Sequence, residues 1–392
     1  WKRISDDLTR NDATKLGPSG GPITKDNTCV EYYCTIFSAL ESPHEAGVLW
    51  TGSDDGLIHL SRDGGKKWTN VTPPDLPEWS QINSIEAHPS EKGGLYVAAT
   101  RYKRDDFKPY LFKTTDYGKS WTRINNGIDA KHFTRVIRAD RKRKGLLYAG
   151  TESGMYVSFD DGGNWENFQL NLPIVPITDL IIKDDDLVVA TQGRSFWILD
   201  DLTLIQQLDR KQLEEDVVLF HPRPIYKIRG GRGRSSLTSG QNPDLGVPIQ
   251  FYLRKSPVTD QKVTLSISDS SGAMIRTFST DPNQDDKDAT MSVKEGFNRI
   301  VWNMRYPSAE SFEGLVLWAG GTNGPLAIPG NYRATLSVGE QQYQTSFEIV
   351  KDPRSPASSA DFESQLSFLL KLRDKLSETH LAIKKIRAIR RQ

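Results

Sequence analysis

The sequence has little that points to nucleic acid or to a membrane. Its 51 basic and 50 acidic residues nearly balance, with a formal net charge of +1, so no overall field attracts either partner. No apolar run approaches the roughly 20 residues of a membrane-spanning helix. No secretion signal is visible, and Trp1 stands where an initiator methionine would be. We expect no nucleic-acid partner, no membrane span, and a native N-terminus outside this chain.

Cysteine is nearly absent too. Cys29 and Cys34, in the stretch CVEYYC, are the only two. In an extended strand they would stand about 16 Å apart, whereas a disulfide needs Cα atoms roughly 5.5 Å apart. A disulfide therefore requires this segment to fold back on itself. The sequence does not decide between a disulfide and two reduced thiols. The six histidines are scattered, so the sequence predicts no metal site and no cofactor.

A short motif is present three times. SRDGGKKW (61–68), TTDYGKSW (114–121) and SFDDGGNW (158–165) share the pattern Ser/Thr-x-Asp-x-Gly-x-x-Trp. Three short apolar or small-residue runs precede each copy of the motif, and one more run follows it. A similar set of runs occurs once more near residue 190, where the motif is degenerate and reads SFWILDD (195–201). Four short strands in each unit of about 40–50 residues are typical of β-propeller blades.

The motif residues themselves are predicted to be structural. Glycine permits left-handed backbone in the turn, and aspartate accepts hydrogen bonds from the amides of its own turn. Tryptophan packs its large apolar face between neighbouring sheets. This role is assigned to Asp63, Trp68, Asp116, Trp121, Asp160 and Trp165.

The first five residues, WKRIS, have the shape of the segments that follow the three motifs. Trp1 would then be the last residue of a further copy. Four repeats with one leftover strand would expose sheet edges and inter-blade surface if they stood alone. We expect the remaining blades to come from an N-terminal segment or from another chain.

The motif is similar to the Asp-box, or bacterial neuraminidase repeat, of sialidases, two-propeller xyloglucanases and sortilin-type receptors. Longer stretches, GPITKDNTCVEYYCTIF, RDDFKPYLFKTTDYGKSW and ATQGRSFWILDDLTLIQQL, resemble the sortilin-like "glycosyl hydrolase" proteins of bacteria. The resemblance implies an Asp-box propeller in a larger exported protein, secreted or periplasmic. The resemblance does not indicate a particular ligand or reaction, because the function of that family is poorly defined.

The rest of the chain predicts a second β-domain and a helix. KVTLSISDSSGAMIRTF and NYRATLSVGEQQYQTSFEIV alternate apolar and polar residues about central turns, which favours an immunoglobulin-like sandwich. Apolar residues at helical spacing follow a weak capping box at Ser358 and Asp361. The predicted fold is all-β with a C-terminal helix: a partial propeller of about four blades (1–209), a Gly/Arg-rich linker (210–246), the sandwich (247–352) and the start of a helical region (357–392).

A ligand site is expected on the rim opposite the motifs. In a propeller, loops between second and third strands share a rim with the loops that join one blade to the next. These loops and the long segment before the first repeat carry carboxylates, arginines and tyrosines, which suit recognition of sugars or carboxylates. The predicted ligand-binding residues are Glu31, Tyr32, Asp54, Asp55, Arg101, Arg104, Asp105, Glu152 and Arg194.

Two functions follow from these residues. Carboxylates on this rim could act as the acid and base of a glycoside hydrolase, part of whose site would lie in further N-terminal blades. A sialidase is disfavoured because its Phe/Tyr-Arg-Ile-Pro motif is absent, although Arg101, Arg104 and Arg194 resemble its arginines and Glu31–Tyr32 its nucleophile pair. Interleaved arginines lower carboxylate pKa values and spoil them as acids. A module that binds a glycan, peptide or protein is therefore favoured, and no catalytic residue is assigned.

Overall fold

The computed structural model describes residues 2–18, 20, 25, 32–228, 240–258, 261–282 and 289–391. The chain divides into two compact units, Trp1–Leu202 and Thr203–Gln392. The fold is mostly β, with one long C-terminal helix. Among the described residues, the helices lack an apolar stretch long enough to cross a membrane.

The described part of the first unit contains four antiparallel sheets, each with its strands hydrogen-bonded in chain order, as in propeller blades. The first sheet is β1 (Ile36–Glu41), β2 (Leu49–Ser53), β3 (Ile58–Ser61) and β4 (Thr69–Asn70). The second is β5 (Gln81–Ala87), β6 (Leu95–Arg101), β7 (Asp106–Thr114) and β8 (Thr122–Arg123). The third is β9 (Thr134–Ala139), β10 (Leu147–Thr151), β11 (Gly154–Ser158) and β12 (Glu166–Asn167). The fourth is β13 (Ile177–Lys183), β14 (Asp186–Thr191) and β15 (Phe196–Leu199).

Consecutive sheets pack face to face. Neighbouring first strands contact one another (β1 with β5, β5 with β9, β9 with β13), so the first strand forms the inner edge of each sheet. Trp50 of the first sheet packs with Ile82 and Phe112 of the second in one apolar cluster. The close approach needs glycine, because a Cβ on Gly52 would lie 2.3 Å from Cγ2 of Ile82.

The three motif copies form the same turn. Ser61 Oγ donates to Asp63 Oδ1 at 2.9 Å and accepts from Gly65 N at 2.9 Å. Asp63 Oδ1 also accepts from Lys67 N at 2.9 Å, and this amide lowers the pKa of the carboxyl. The corresponding bonds recur around Asp116 and Asp160. The motif aspartates thus tie their own turns together.

Each motif tryptophan donates its indole N–H to a backbone carbonyl of the preceding repeat. The bonds are Trp68 to Ile4 at 2.9 Å, Trp121 to Val71 at 2.8 Å and Trp165 to Ile124 at 2.6 Å. Each acceptor lies three residues after a tryptophan, counting Trp1 for Ile4. Residues 2–5 therefore occupy the place that the segment following the motif tryptophan occupies in the later repeats.

The second unit begins with α1 (Thr203–Gln207), and its described residues form two sheets. One is ordered β16 (Val217–Leu219), β18 (Val247–Leu253), β21 (Gly296–Trp302). The other is ordered β17 (Ile225–Lys227), β23 (Gln341–Lys351), β22 (Gly330–Val338), β19 (Val263–Asp269), β20 (Met274–Ser279). Trp302 from the first sheet packs edge-on to Tyr332 and Phe347 from the second. The two sheets share one core, while the immunoglobulin-like assignment stays a prediction.

The range 210–246, predicted as a linker, contains β16 and β17. β16 pairs with β18 and β17 pairs in parallel with β23, so these residues extend both sheets. The strands are three residues long and separated by prolines, too short for an alternating pattern to show in the sequence. The stretch RGGRGR (229–234) lies outside the described residues.

The C-terminal helix is α2 (Ser359–Arg391). Ser358 Oγ accepts from Asp361 N at 3.3 Å, and Asp361 Oδ2 accepts from Ser358 N at 2.9 Å, which is the reciprocal bonding of a capping box. Farther along, the His380 ring is buried edge-on against Phe312. This contact fixes the middle of the helix to the segment before β22.

Candidate binding site

The loops between second and third strands lie on one rim of the first unit, opposite the motif turns. They comprise residues 54–57, 102–105, 152–153 and 192–195. The loop 71–80, which joins the first sheet to the second, lies beside them: Arg101 Nε donates to the carbonyl of Glu78 at 3.0 Å. The expected grouping of these two kinds of loop is therefore seen between the first and second sheets.

Asp54 and Asp55 are buried and bonded to backbone amides. Asp54 Oδ1 accepts from Thr35 N at 2.8 Å, and burial raises the pKa of this carboxyl. Asp55 Oδ2 accepts from Arg10 N at 2.7 Å, and its Oδ1 accepts from Ser53 Oγ. These two carboxylates hold the chain segment that precedes the first sheet, and neither is exposed on the rim.

A partly exposed aromatic surface begins at Trp79. Its indole is approached by the guanidinium of Arg10, at 5.3 Å from the ring centroid, and by Lys15 Nζ at 5.8 Å. Tyr33 stands edge-on to it, with centroids 5.3 Å apart, and Lys103 Nζ lies 5.3 Å from the Tyr33 ring. Trp79 has φ of 62°, a left-handed backbone that is strained for a bulky residue and that clusters at functional sites.

The surface continues onto the second and third sheets. Tyr102 stacks on Phe133 with centroids 5.4 Å apart, and the guanidinium of Arg135 lies 5.3 Å from the Phe133 ring. Tyr102 is exposed and follows Arg101 directly. Phe133 is 4% exposed and supports Tyr102 from beneath, so we call Trp79, Tyr33 and Tyr102 the aromatic strip.

The remaining carboxylates beside the strip are paired. Arg10 contacts Glu78 at 3.3 Å, Arg101 contacts Asp106 at 3.5 Å, and Arg135 contacts Glu152 at 2.7 Å. Asp106 also accepts from Tyr110 Oη at 2.7 Å; burial and this bond raise the pKa of Tyr110 to about 12. In the described part of the chain, Lys15, Lys103 and Arg104 form no such ion pair, although the charge of Lys103 opposes the rise in the pKa of Asp54.

The structure brings some predicted site residues together and separates others. Asp54, Asp55, Arg101, Arg104, Asp105 and Glu152 lie on neighbouring loops of one rim, and Tyr32 precedes Tyr33 of the strip. Arg194 is exposed on the fourth sheet, where it bonds to the carbonyl of Gly193. Glu31 lies outside the described residues. Cys34 is a free, half-buried thiol whose pKa is raised by burial, and Cys29 is outside the described residues as well.

The sequence alone did not single out Trp79, Arg10, Lys15 or Phe133. One signal was available, because Trp79 lies in the loop 71–80, which belongs to the rim by its position between two sheets. Arg10 and Lys15 had no such signal, since only folding of the long N-terminal segment brings them to Trp79.

No cluster of three or more His, Cys, Asp or Glu side chains in the described part of the chain is arranged to hold a metal ion.

Comparison with known proteins gives partial similarities. No protein-family model matches the chain. A stretch of 109 residues is 29% identical to the oligoxyloglucan-reducing end-specific xyloglucanase of Emericella nidulans, covering 28% of this chain and 14% of that enzyme. The matched stretch is thus about one-seventh of the enzyme's length, too little to transfer its activity.

Several solved structures share part of the arrangement. The GH74 xyloglucanase of Xanthomonas campestris is 14% identical, with 79% of this chain and 45% of that chain covered and a TM-score of 0.35. YCF48 from Cyanidioschyzon merolae is 15% identical, with coverage of 83% and 86% and a TM-score of 0.33. PorZ, a surface component of the type-IX secretion system of Porphyromonas gingivalis, is 13% identical, with coverage of 83% and 40% and a TM-score of 0.35. At these TM-scores the similarities carry no weight for function.

Proposed function

We propose that the first unit is a ligand-binding module of a sortilin-like, Asp-box kind that works outside the cytoplasm. Its ligand, a glycan, peptide or protein, lies on the rim opposite the motif turns and contacts the aromatic strip. The observation that carries this proposal is Trp79, held in a left-handed backbone with Arg10 and Lys15 beside its ring.

The strip favours a ligand with a flat apolar face and negative charge. Aromatic rings offer large, rigid contact area at low entropic cost, and the charged side chains of Lys103 and Arg104 lie on the same loop as Tyr102. An acidic oligosaccharide has both properties. The partial similarity to an enzyme named for a xyloglucan oligosaccharide supports a glycan over a peptide.

Replacing Trp79 by alanine should weaken ligand binding about 10- to 100-fold, because a central aromatic contact is lost. Calorimetric titration with oligogalacturonate, oligoxyloglucan and a glutamate-rich peptide measures the effect and ranks the three ligands. Asp63→Asn is the matched control, since it changes a motif turn on the opposite rim and should leave the affinity unchanged. If a folded Asp63→Asn variant loses binding while Trp79→Ala binds as the unmodified chain does, the ligand binds on the rim of the motif turns and the proposal is wrong.

Glycoside hydrolysis is the second candidate, and one observation favours it. Asp54 has a raised pKa and is followed directly by Asp55, and a general acid needs such an environment. Against it, both carboxylates accept backbone amides and are buried.

The hydrolase reading predicts that Asp54→Asn abolishes release of sugar from oligoxyloglucan while leaving its binding intact. The amide oxygen of asparagine can still accept the Thr35 N–H, so the variant should fold. Absence of turnover by the unmodified chain, with binding retained, favours the binding module.

A further inference from the structure

The fourth sheet of the first unit leaves uncovered a face that its three predecessors bury. We call forward face the side of each sheet that points toward the next sheet. Tyr96 defines it in the second sheet, because its hydroxyl donates to Asp161 of the third. Gly150 defines it in the third, where an added Cβ would lie 2.6 Å from Cγ2 of Ile177 in the fourth.

Equivalent positions differ sharply in exposure. By strand register, Phe196 in β15 corresponds to Ile58, Leu111 and Met155. Those three side chains are 0%, 0% and 2% exposed, whereas Phe196 is 75% exposed. Ile198 likewise is 57% exposed, while its apolar counterparts Leu60 and Val157 are 5% and 3% exposed; its counterpart in the second sheet is Lys113. An apolar patch of this kind marks an interaction site.

The first sheet is partly uncovered on its other side, the reverse face, which in later sheets packs against the preceding one. Ile36 is 43% exposed, whereas its register equivalents Ile82 and Ile177 are fully buried. Leu49 is half-buried, whereas Leu95 and Leu147 at the same position are fully buried. Among the described residues, the unit therefore has an uncovered forward face on its fourth sheet and a reverse face on its first sheet that is open at Ile36 but buried at Thr51 and Ser53.

The number of strands in each sheet also pairs the fourth sheet with the reverse face of the first. Among the described residues, the first three sheets have a two-residue fourth strand, whereas the fourth sheet ends at β15, so that β15 has no partner strand on its outer edge. Residues 2–5 stand beside the reverse face of the first sheet, bonded through Ile4 to Trp68, in the place of a fourth strand of a preceding sheet. The unit thus offers the strand that its own fourth sheet lacks, at its opposite end.

We propose that two copies of this chain associate head to tail, with the forward face of one fourth sheet covered by the reverse face of the partner copy's first sheet. Residues 2–5 of each copy then pair with β15 of the other, Lys2 opposite Ile198 and Arg3 opposite Trp197, as Thr69 and Asn70 pair with Leu60 and His59. Two such contacts join eight sheets, within the range of closed propellers.

Sedimentation equilibrium of the whole chain tests the proposal. The expected species has twice the chain mass, 2 × 44.1 = 88.2 kDa, with larger head-to-tail assemblies also supporting it. Phe196→Lys and Ile36→Lys should each raise the dissociation constant at least roughly 30-fold. Phe368→Lys is the matched control, because Phe368 is a similarly exposed phenylalanine on α2, and it should change nothing.

Mixing the two variants distinguishes this geometry from a symmetric pairing of like faces. A copy with Phe196→Lys keeps its reverse face and a copy with Ile36→Lys keeps its forward face, so the mixture should regain association that neither variant shows alone. A chain that stays at 44.1 kDa at every concentration overturns the proposal, as does a mixture that regains nothing. Circular dichroism of each variant confirms that a loss of association is not a loss of fold.

Discussion

Replacing Trp165 by alanine should lower the free energy of unfolding by about 3–5 kcal/mol. Trp165 is buried and packs with Ile124, Ile128 and Tyr156 between the second and third sheets. Its indole N–H donates to the carbonyl of Ile124 at 2.6 Å. The backbone ladders on both sides hold the sheets apart, so the space left by the indole cannot close fully, and the cavity adds to the lost burial.

Urea denaturation followed by circular dichroism measures this loss, and two variants separate its causes. Trp165→Phe keeps most of the apolar volume but leaves the Ile124 carbonyl without its donor, and should lose about 1–3 kcal/mol. Trp68→Ala removes the same kind of hydrogen bond from a half-buried position and should lose less than Trp165→Ala. If Trp165→Ala and Trp68→Ala lower the free energy of unfolding equally, burial of the motif tryptophan between sheets does not account for its contribution to stability.

The repeat made the first unit predictable. A pattern with Gly, Asp and Trp at fixed spacing occurs three times, and each copy specifies a turn whose hydrogen bonds are local in sequence, as between Asp63 and Lys67. Local bonding leaves a trace in the sequence because the partners are a few residues apart. The hairpins of the second unit were predictable for the same reason, since β22 and β23 alternate apolar and polar residues about a turn at Gly339–Glu340.

The rim residues were only partly predictable. The rule that second-to-third-strand loops share a rim pointed to Asp54 and Asp55, but it could not tell which side chains face solvent. Asp54 accepts a hydrogen bond from Thr35 N, 19 residues away in sequence. Asp55 accepts one from Arg10 N, 45 residues away in sequence. A contact between segments so far apart has no local pattern, so the structural use of these aspartates could not be inferred beforehand.

The aromatic strip illustrates the same limit. Tyr33 and Trp79 are 46 positions apart by their numbers, and Tyr102 stacks on Phe133, which comes from a loop beside a different sheet. Tyr33 lies in the long segment before the first repeat, which the sequence does nominate for the rim, but no local pattern marks Trp79 or Tyr102 as its neighbours. Their convergence depends on how consecutive sheets pack, which the repeat predicts in outline and the loops determine in detail.

Arg138 joins the first strands of three sheets, a role that the sequence alone does not indicate. From β9 it donates to Ser84 Oγ in β5 at 2.7 Å, and to Asp179 Oδ1 and the carbonyl of Leu180 in β13, each at 2.7 Å. Its guanidinium also lies 3.8 Å from Glu86. Burial raises the pKa of Glu86, and the charge of Arg138 opposes that rise.

Replacing Arg138 by methionine should lower the free energy of unfolding by about 2–4 kcal/mol at pH 7, less than for a fully buried pair because both side chains retain some exposure. The loss should depend on pH. Without the arginine the folded-state pKa of Glu86 rises further above its ordinary value of 4.5, so the folded protein prefers the protonated carboxyl. The resulting penalty is absent below the unfolded-state pKa and grows as pH rises through the folded-state pKa.

Urea denaturation at pH 4.5 and pH 7 should therefore show a larger deficit for Arg138→Met at pH 7. Adding Glu86→Gln to that variant removes the titrating group, so the double variant should regain part of the stability lost at pH 7 and show a deficit that varies less with pH. Glu86→Gln alone leaves Arg138 bonded to Ser84, Asp179 and Leu180, and should be the mildest of the three. A deficit for Arg138→Met that is equal at both pH values would mean that the lost hydrogen bonds, and not the uncompensated carboxylate of Glu86, account for the destabilisation.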